Sequence, residues 1–360
     1  MSDHLDTKHE NRDETDDPAT GEEAVGGTGG HRKVEHARTG EHGELVRDIE
    51  LADASGAEEV GGPTSLWADG WRVLKHKPLF WLALFLILAM VVMAVFPQAY
   101  LWFYNPFPDN PEQAKTFCTL SNSVQSPNAP NGGRPSSTNW FGFDIQGCDL
   151  YVRTILGARI SIFIGVIVTL ASVIIALVFG TLAGYFGRSI DAVIARITDI
   201  WFAIPTILGG IVLLSVLRDR GMVEVAFVLT LFGWPSMLRL MRSQVIAGKE
   251  QDYVTASRSL GANDFRLMVR HIIPNGITPV IVYATIFIGV IISAEAALSF
   301  LGVGVALPNI SWGLMISGAQ DRILQIPQLL FFPGMALAIT VFGFMVMGDM
   351  LRDAFDPKGR

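Results

Sequence analysis

The sequence is short of charge. Only 17% of its 360 residues are Asp, Glu, Lys or Arg, against about a quarter in soluble domains. Half of the chain is hydrophobic and its mean hydropathy is +0.38. That balance excludes disorder throughout, a coiled coil and a nucleic-acid binder, and it points to lipid. Cysteine is scarcer still. Cys118 and Cys148 are the only two, which excludes a Cys-based zinc cluster and a disulfide framework. The first 30 residues lack any apolar stretch, so no cleavable signal peptide is expected. Catalytic signatures are also missing. The one Gly-Lys, Gly248-Lys249, is followed by Glu250, so there is no phosphate-binding loop, and neither His-Glu-x-x-His nor Gly-x-Ser-x-Gly occurs. No catalytic, cofactor-binding or metal-ligating residue is expected.

What is present divides sharply by charge. Residues 1–62 hold 17 acidic and 6 basic residues, a net of −11, and residues 63–360 hold 17 and 21, a net of +4. The head has no Trp, Phe or Tyr and carries five of the seven histidines, at positions 4, 9, 31, 36 and 42. It cannot bury enough apolar surface to offset chain entropy, so a disordered acidic cytoplasmic tail is expected over 1–62. No two of its histidines stand at i, i+4 among apolar neighbours, which favours a solvated tail over a metal site. From Pro63 the character changes. Trp67, Trp71 and Leu74 follow the i, i+4, i+7 spacing of one helical face, with Ser65 as N-cap and basic residues at the far end. An amphipathic interfacial helix is expected over 63–78, lying on the membrane surface or packed against the outermost span.

A membrane span needs roughly 20 predominantly apolar residues. The uncharged windows are 79–108, 160–187, 200–217, 225–238, 272–294, 296–320 and 323–348. Asn105-Pro106-Phe107-Pro108 ends the usable part of the first near Pro97. The fourth is short unless Arg239 and Arg242 snorkel. Gly302, Gly304, Pro308, Asn309, Gly313 and Gly318 make 296–320 irregular, so it is read as a re-entrant piece. The expectation is an all-α integral membrane protein with six transmembrane helices. Its first span covers 79–97, an external segment 98–157, and a five-helix core 158–350 with a cytoplasmic loop at 243–275. A cytoplasmic C-terminus fills 351–360. With both ends in the cytoplasm, 14 basic residues of the body lie inside and 7 outside, as the positive-inside rule asks. An oxidising exterior allows a Cys118–Cys148 disulfide, with two thiols as the alternative. Pro205 and Pro235 are expected to kink spans three and four, and Gly180-x-x-x-Gly184 reads as a helix contact. Asp199 is expected to pair with Arg196 one turn away. Glu295, at the outer end of span five, is a candidate for lining a path through the bundle.

The most informative stretch is cytoplasmic. In Asp252-Tyr253-Val254-Thr255-Ala256-Ser257-Arg258-Ser259-Leu260-Gly261-Ala262-Asn263, Tyr253, Ala256 and Leu260 share one helical face. Gly261 can end that helix in the left-handed conformation and Asn263 can cap the next. The result is two short helices meeting at a glycine. This stretch resembles the coupling loop of permease subunits in bacterial ABC importers. Thr255-Ala256-Ser257 stands at the Glu-Ala-Ala position, Gly261 at the glycine, and His271-Ile272-Ile273-Pro274-Asn275 at the end of the pattern. Trp140 to Arg153, Glu295 to Gly304 with Ser311-Trp312-Gly313, and Gly348 to Lys358 are similar to segments of the second permease of the peptide-importer branch. The likeness covers residues 64–360.

The resemblance implies a non-catalytic subunit in a bacterial inner membrane. Its partners would be a second permease, two ATP-binding subunits that hold ATP and Mg, and an external binding protein delivering di- or oligopeptides. Asp252, Tyr253, Thr255, Ala256, Ser257, Leu260, Gly261 and Ala262 would form the ATPase-coupling surface. Nickel, glutathione and oligosaccharides remain alternative substrates. An ion-driven secondary transporter is the rival class; no inverted repeat in the spans supports it.

Overall fold

The computed structural model describes residues 66–101, 104, 133–137, 139–145, 147–217 and 219–355. The expectations for the tail 1–62, for Ser65, for Cys118 and for the last five residues lie outside the described residues, as does the side chain of Trp67.

Helices account for the fold, and no strand occurs among the described residues beyond one isolated bridge between Phe143 and Asp149. α1 is Leu66–Leu74, α2 Pro78–Val95 and α3 Pro97–Leu101. α4 runs Leu150–Phe186, with a π-helical stretch at Ala176–Gly180. α5 is Arg188–Ala203, α6 Thr206–Val216, α7 Met222–Lys249 and α8 Asp252–Ser259. Three short helical pieces over 264–276 form α9; α10 is Thr278–Phe300, α11 Trp312–Ala319 and α12 Gln328–Phe355. Among the described residues five helices (α2, α4, α7, α10, α12) are long and apolar enough to cross a bilayer, and the pair α5–α6 makes a sixth if taken as one bent span. The chain is thus an all-α, multi-pass membrane protein.

Two helices differ from the sequence expectation for physical reasons. α4 starts at Leu150, so residues 150–157 of the expected external segment are helical. Asp149 makes this start, its side chain accepting from the Val152 amide at 3.1 Å. At 37 residues the rod is about 55 Å long, well beyond the roughly 30 Å hydrocarbon core. Arg153 and Arg159 lie in its first ten residues. The third span is not one rod, because α5 and α6 meet at 81°. Pro205 has no N–H to donate and holds Ile204 in an extended conformation (φ −94°, ψ 116°). Pro235, by contrast, lies inside an unbroken α7.

Ile164, Val168, Leu214, Val228, Met237, Leu238, Met241, Phe287, Ile291 and Leu298 build the main core, where α4, α6, α7 and α10 meet. Lipid offers apolar groups no reason to leave it, so close backbone approach matters more than burial from water. Gly180 and Gly184 provide it. A Cβ on Gly184 would lie 2.8 Å from the Arg242 carbonyl and from Val245 Cβ, and one on Gly180 3.0 Å from the Leu238 carbonyl. A second core joins α2, α4, α10 and α12 around Trp312. α1 packs against the end of α12. Leu74 is buried with Met347 and Ala354 of α12, Gly70 faces Phe355, and Lys77 Nζ stands 3.1 Å from Asp353.

Candidate coupling surface and the buried Glu295 cluster

α8 follows α7 after a two-residue turn and begins with Asp252 in its first turn. It closes as the sequence pattern foresaw. The Leu260 amide bonds to the Ala256 carbonyl, Gly261 N to Arg258 O at 3.0 Å, and Ala262 N to Ser257 O at 3.1 Å. This is the glycine-terminated end that satisfies orphan carbonyls. Gly261 sits at φ +86°, and Asn263 Oδ1 accepts from the Arg266 amide at 2.8 Å to start α9.

The resulting unit has an inner and an outer face. Val254, Leu267 and Ile272 are fully buried in the main core. Tyr185 at the end of α4 donates to Asp264 Oδ1 at 2.5 Å, and Lys249 Nζ to the Gly184 carbonyl at 3.2 Å. The helix pair is therefore fixed to the ends of α4 and α7. Outward point Tyr253, Ala256 and Leu260, the last 89% exposed. Asp252, Thr255 and Gly261 are also exposed, whereas Ser257 and Ala262 are half-buried. Sequence reasoning missed Phe265 (70% exposed) and Val269, which extend the apolar face onto α9. Their i, i+4 spacing was the available signal.

Glu295 does not meet the surface of the subunit. Its side chain has no exposed area. Ser161 Oγ of α4 donates to Oε2 at 3.1 Å and Ser299 Oγ of α10 to Oε1 at 2.8 Å, with Ser311 as a third hydrogen-bonding side chain. Each serine bonds onward. Ser161 Oγ accepts from the Trp312 amide at 3.2 Å, Ser299 Oγ from the Val305 amide and Ser311 Oγ from the Leu314 amide. Trp312 Nε1 donates to the Thr154 carbonyl at 2.8 Å. A Cβ on Gly313 would come within 2.6 Å of Ala296 Cα, so α11 lies directly on α10. In this conformation Glu295, the residue expected to line a path, is enclosed between α4, α10 and α11. It ties the irregular segment 301–311 and α11 to the two spans beneath them.

A second buried acid caps the N-terminus of α4. Asp149 Oδ2 accepts from Asn139 Nδ2 at 2.8 Å and from the Tyr104 hydroxyl, inside a ring cluster of Tyr104, Trp140 and Tyr151. Burial raises the Asp149 carboxyl above its usual range although these hydrogen bonds oppose it; burial, with Asp149 alongside, also raises the Tyr104 phenol. Cys148 is buried beside Tyr104 and Val152. Among the described residues no group of His, Cys, Asp or Glu could hold a metal ion.

These features define a multi-span membrane protein with an exposed helix–glycine–helix face. The chain belongs to the family of binding-protein-dependent transport system inner membrane components, which matches residues 176–360. Residues 65–122 match the N-terminal TM domain of oligopeptide transport permease C. The chain is 38% identical over 311 residues to the oligopeptide transport system permease protein OppC of Bacillus subtilis, covering 86% of this chain and 95% of that protein. It is 37% identical over 306 residues to DppC, the dipeptide transport system permease protein of the same organism, covering 84% and 90%. The glutathione transport system permease protein GsiD of Pectobacterium atrosepticum is 38% identical over 224 residues, 62% of this chain and 74% of that protein.

Proposed function

We propose that this chain is the second, C-type permease of an ATP-driven peptide importer in a bacterial inner membrane, with both termini in the cytoplasm. It pairs with another permease to form the path for di- or oligopeptides handed over by an external binding protein. Two ATP-binding subunits hold ATP and Mg and do the hydrolysis. The observation that carries this reading is the α8–Gly261–α9 unit. Its exposed face (Asp252, Tyr253, Thr255, Ala256, Leu260, Gly261) is offered to a partner while its buried face is bolted to α4 and α7. Ser257 and Ala262 support the bend from beneath.

The mechanism follows from that geometry. When the ATPase pair closes on ATP, a docked α8 moves with it. Val254, Leu267 and Ile272 allow little independent sliding, so displacement of the helix passes to the cytoplasmic ends of α4 and α7. A rigid body that rocks two spans is one route between inward- and outward-facing states. Affinity purification of the tagged chain from its own membranes tests the assembly. ATPase subunits should co-purify and hydrolyse ATP in response to the loaded binding protein, and their absence would refute the importer reading. The glutathione permeases among the relatives favour a second substrate. Uptake of labelled glutathione against a labelled tripeptide in the same vesicles decides between the two.

A further inference from the structure

The helices bring a charged pair and a helix break together at membrane depth, on a face that no other part of the described chain covers. Arg239 Nη2 of α7 lies 2.8 Å from Asp199 Oδ1 of α5, and both side chains remain about half exposed, at 52% and 54%. Asp199 thus pairs across helices and not with Arg196. The Arg239 guanidinium also stands 4.0 Å over the Phe202 ring. Four residues on, the backbone turns through the α5–α6 break, and Ala203, Ile204, Pro205 and Thr206 are all exposed. Because Pro205 has no N–H, the Trp201 carbonyl takes the Ile204 amide instead, at 3.2 Å.

Depth can be read from the helices. The outer end of this region is marked by Arg220, whose guanidinium bonds to the Gly302 carbonyl of the outer segment and whose carbonyl accepts from Ala306. From there α6, at 11 residues, descends only about 17 Å before the break. On α7 the uncharged run 225–238 rises about 21 Å, against a hydrocarbon core of roughly 30 Å. Tilt would shorten both. The break and the ion pair therefore lie within the hydrocarbon zone. Non-helical backbone and exposed charge are tolerated there only against protein or a water-filled cavity. Arg196 is exposed on the same helix, and permanent protein interfaces are depleted of charge at their core. Water fits better than a partner.

We infer that the translocation path runs along the α5–α6–α7 face, and that Asp199, Phe202 and Arg239 form a polar station in it for zwitterionic peptides. The assignment of peptide as cargo rests on the function proposed above. Asp199 matches an ammonium terminus, the Arg239 fork matches a carboxylate, and the Phe202 ring offers an apolar side chain a surface. A mobile substrate can exchange with the existing pair, its own two charges taking the place of the partner each side chain gives up.

Thiol accessibility in the complete reconstituted transporter tests the path. Thr206→Cys and Ile204→Cys are labelled in separate samples, with a positively charged methanethiosulfonate and with a lipid-soluble maleimide. The reactivity of the parent protein's own cysteines is subtracted. Phe85→Cys, two-thirds exposed on a helix with neither charge nor break, reports the lipid face. The path requires reaction of 204 or 206 with the charged reagent, slowed by loaded binding protein plus ATP, while 85 reacts only with the maleimide. Reaction of 204 and 206 with the maleimide alone means lipid and overturns the inference. So does silence toward the charged reagent with disulfide cross-linking to the second permease, which means a protein interface. Either result leaves co-purification of the ATPase subunits unaffected, so the importer reading stands or falls separately.

Discussion

Gly261 illustrates how one torsion angle can matter where packing does not. At φ +86° nothing lies within 4 Å of a Cβ built on it, so a substitution acts through the backbone alone. A β-branched residue in this region costs about 1–3 kcal/mol, enough to move the chain to another turn and change the angle between α8 and α9. Gly261→Val should therefore lower peptide transport per ATP hydrolysed in proteoliposomes severalfold, with Gly261→Ala intermediate. Unchanged coupling in the valine variant would remove the glycine from the mechanism. This residue was legible in the sequence because helix termination is local chemistry. Glu295 was not, because its partners come from 134 positions away at Ser161 and from the far side of an irregular loop at Ser311. An acid at a span end looks the same in sequence whether it faces a path or a nest of serines. Glu295→Leu leaves several donors without an acceptor, at about 1–3 kcal/mol for each buried orphan. It should lower the melting temperature of the detergent-solubilised protein far more than Glu295→Gln. Equal loss in both would argue for a role of the charge itself. Asp149 carries a pH signature. Its carboxyl is raised in the folded state, so folding favours the protonated form. That contribution is present below the ordinary carboxylate range and is lost as pH rises through the raised value. Trp140 fluorescence melts should show stability of the external cluster falling over that interval, and Asp149→Asn should flatten the dependence.

Helix existence was legible wherever charge was absent for long enough, and helix ends were not. The uncharged window from 160 located α4 but not its start, because Arg153 and Arg159 lie within the helix ahead of that window. Asp149 and its cap were visible in the sequence, yet nothing local distinguished them from a turn. Pro205 marked the break between α5 and α6, whereas Pro235 lies inside a continuous α7. Gly180 and Gly184 were readable as a contact, but not their partner. They face α7 at Leu238, Met241, Arg242 and Val245. The same stretch of α7 holds Asp191 of α5 through Arg242, whose Nη2 lies 2.7 Å from Oδ2, so three elements are registered together. Gly184→Leu inserts a side chain where even a Cβ is too close. It should destabilise by about 1–3 kcal/mol as an overpacked core does, and more in this lipid setting if α4 separates from α7. Loosening of the α8–α9 unit should follow, since Tyr185 of α4 holds Asp264 of α9 and the Gly184 carbonyl holds Lys249 at the end of α7 just before α8. Both effects are measurable as a lower melting temperature together with less ATPase subunit recovered on purification. A Gly184→Leu protein that melts and assembles normally would show that the glycine contact is dispensable.

At the scale of the whole molecule the charge asymmetry separates machinery from appendage. The relationship to OppC of Bacillus subtilis spans 86% of the chain, and the family matches begin at residue 65. The acidic head precedes them. In the proposed orientation its net −11 is repelled by an anionic cytoplasmic leaflet, and its composition gives no apolar face with which to hold a span. The +4 body, by contrast, has a basic excess that suits the inner surface, and α1 is already secured to α12 through Leu74, Gly70 and Lys77. Removing residues 2–60 leaves that junction intact and turns the chain's net charge from −7 to +4. Deletion should therefore change neither insertion nor the ATPase partners recovered, and peptide uptake should match the full-length protein at equal membrane abundance. Uptake that collapses while assembly persists would make the head a working part of the transporter. Loss of both would mean that insertion depends on it.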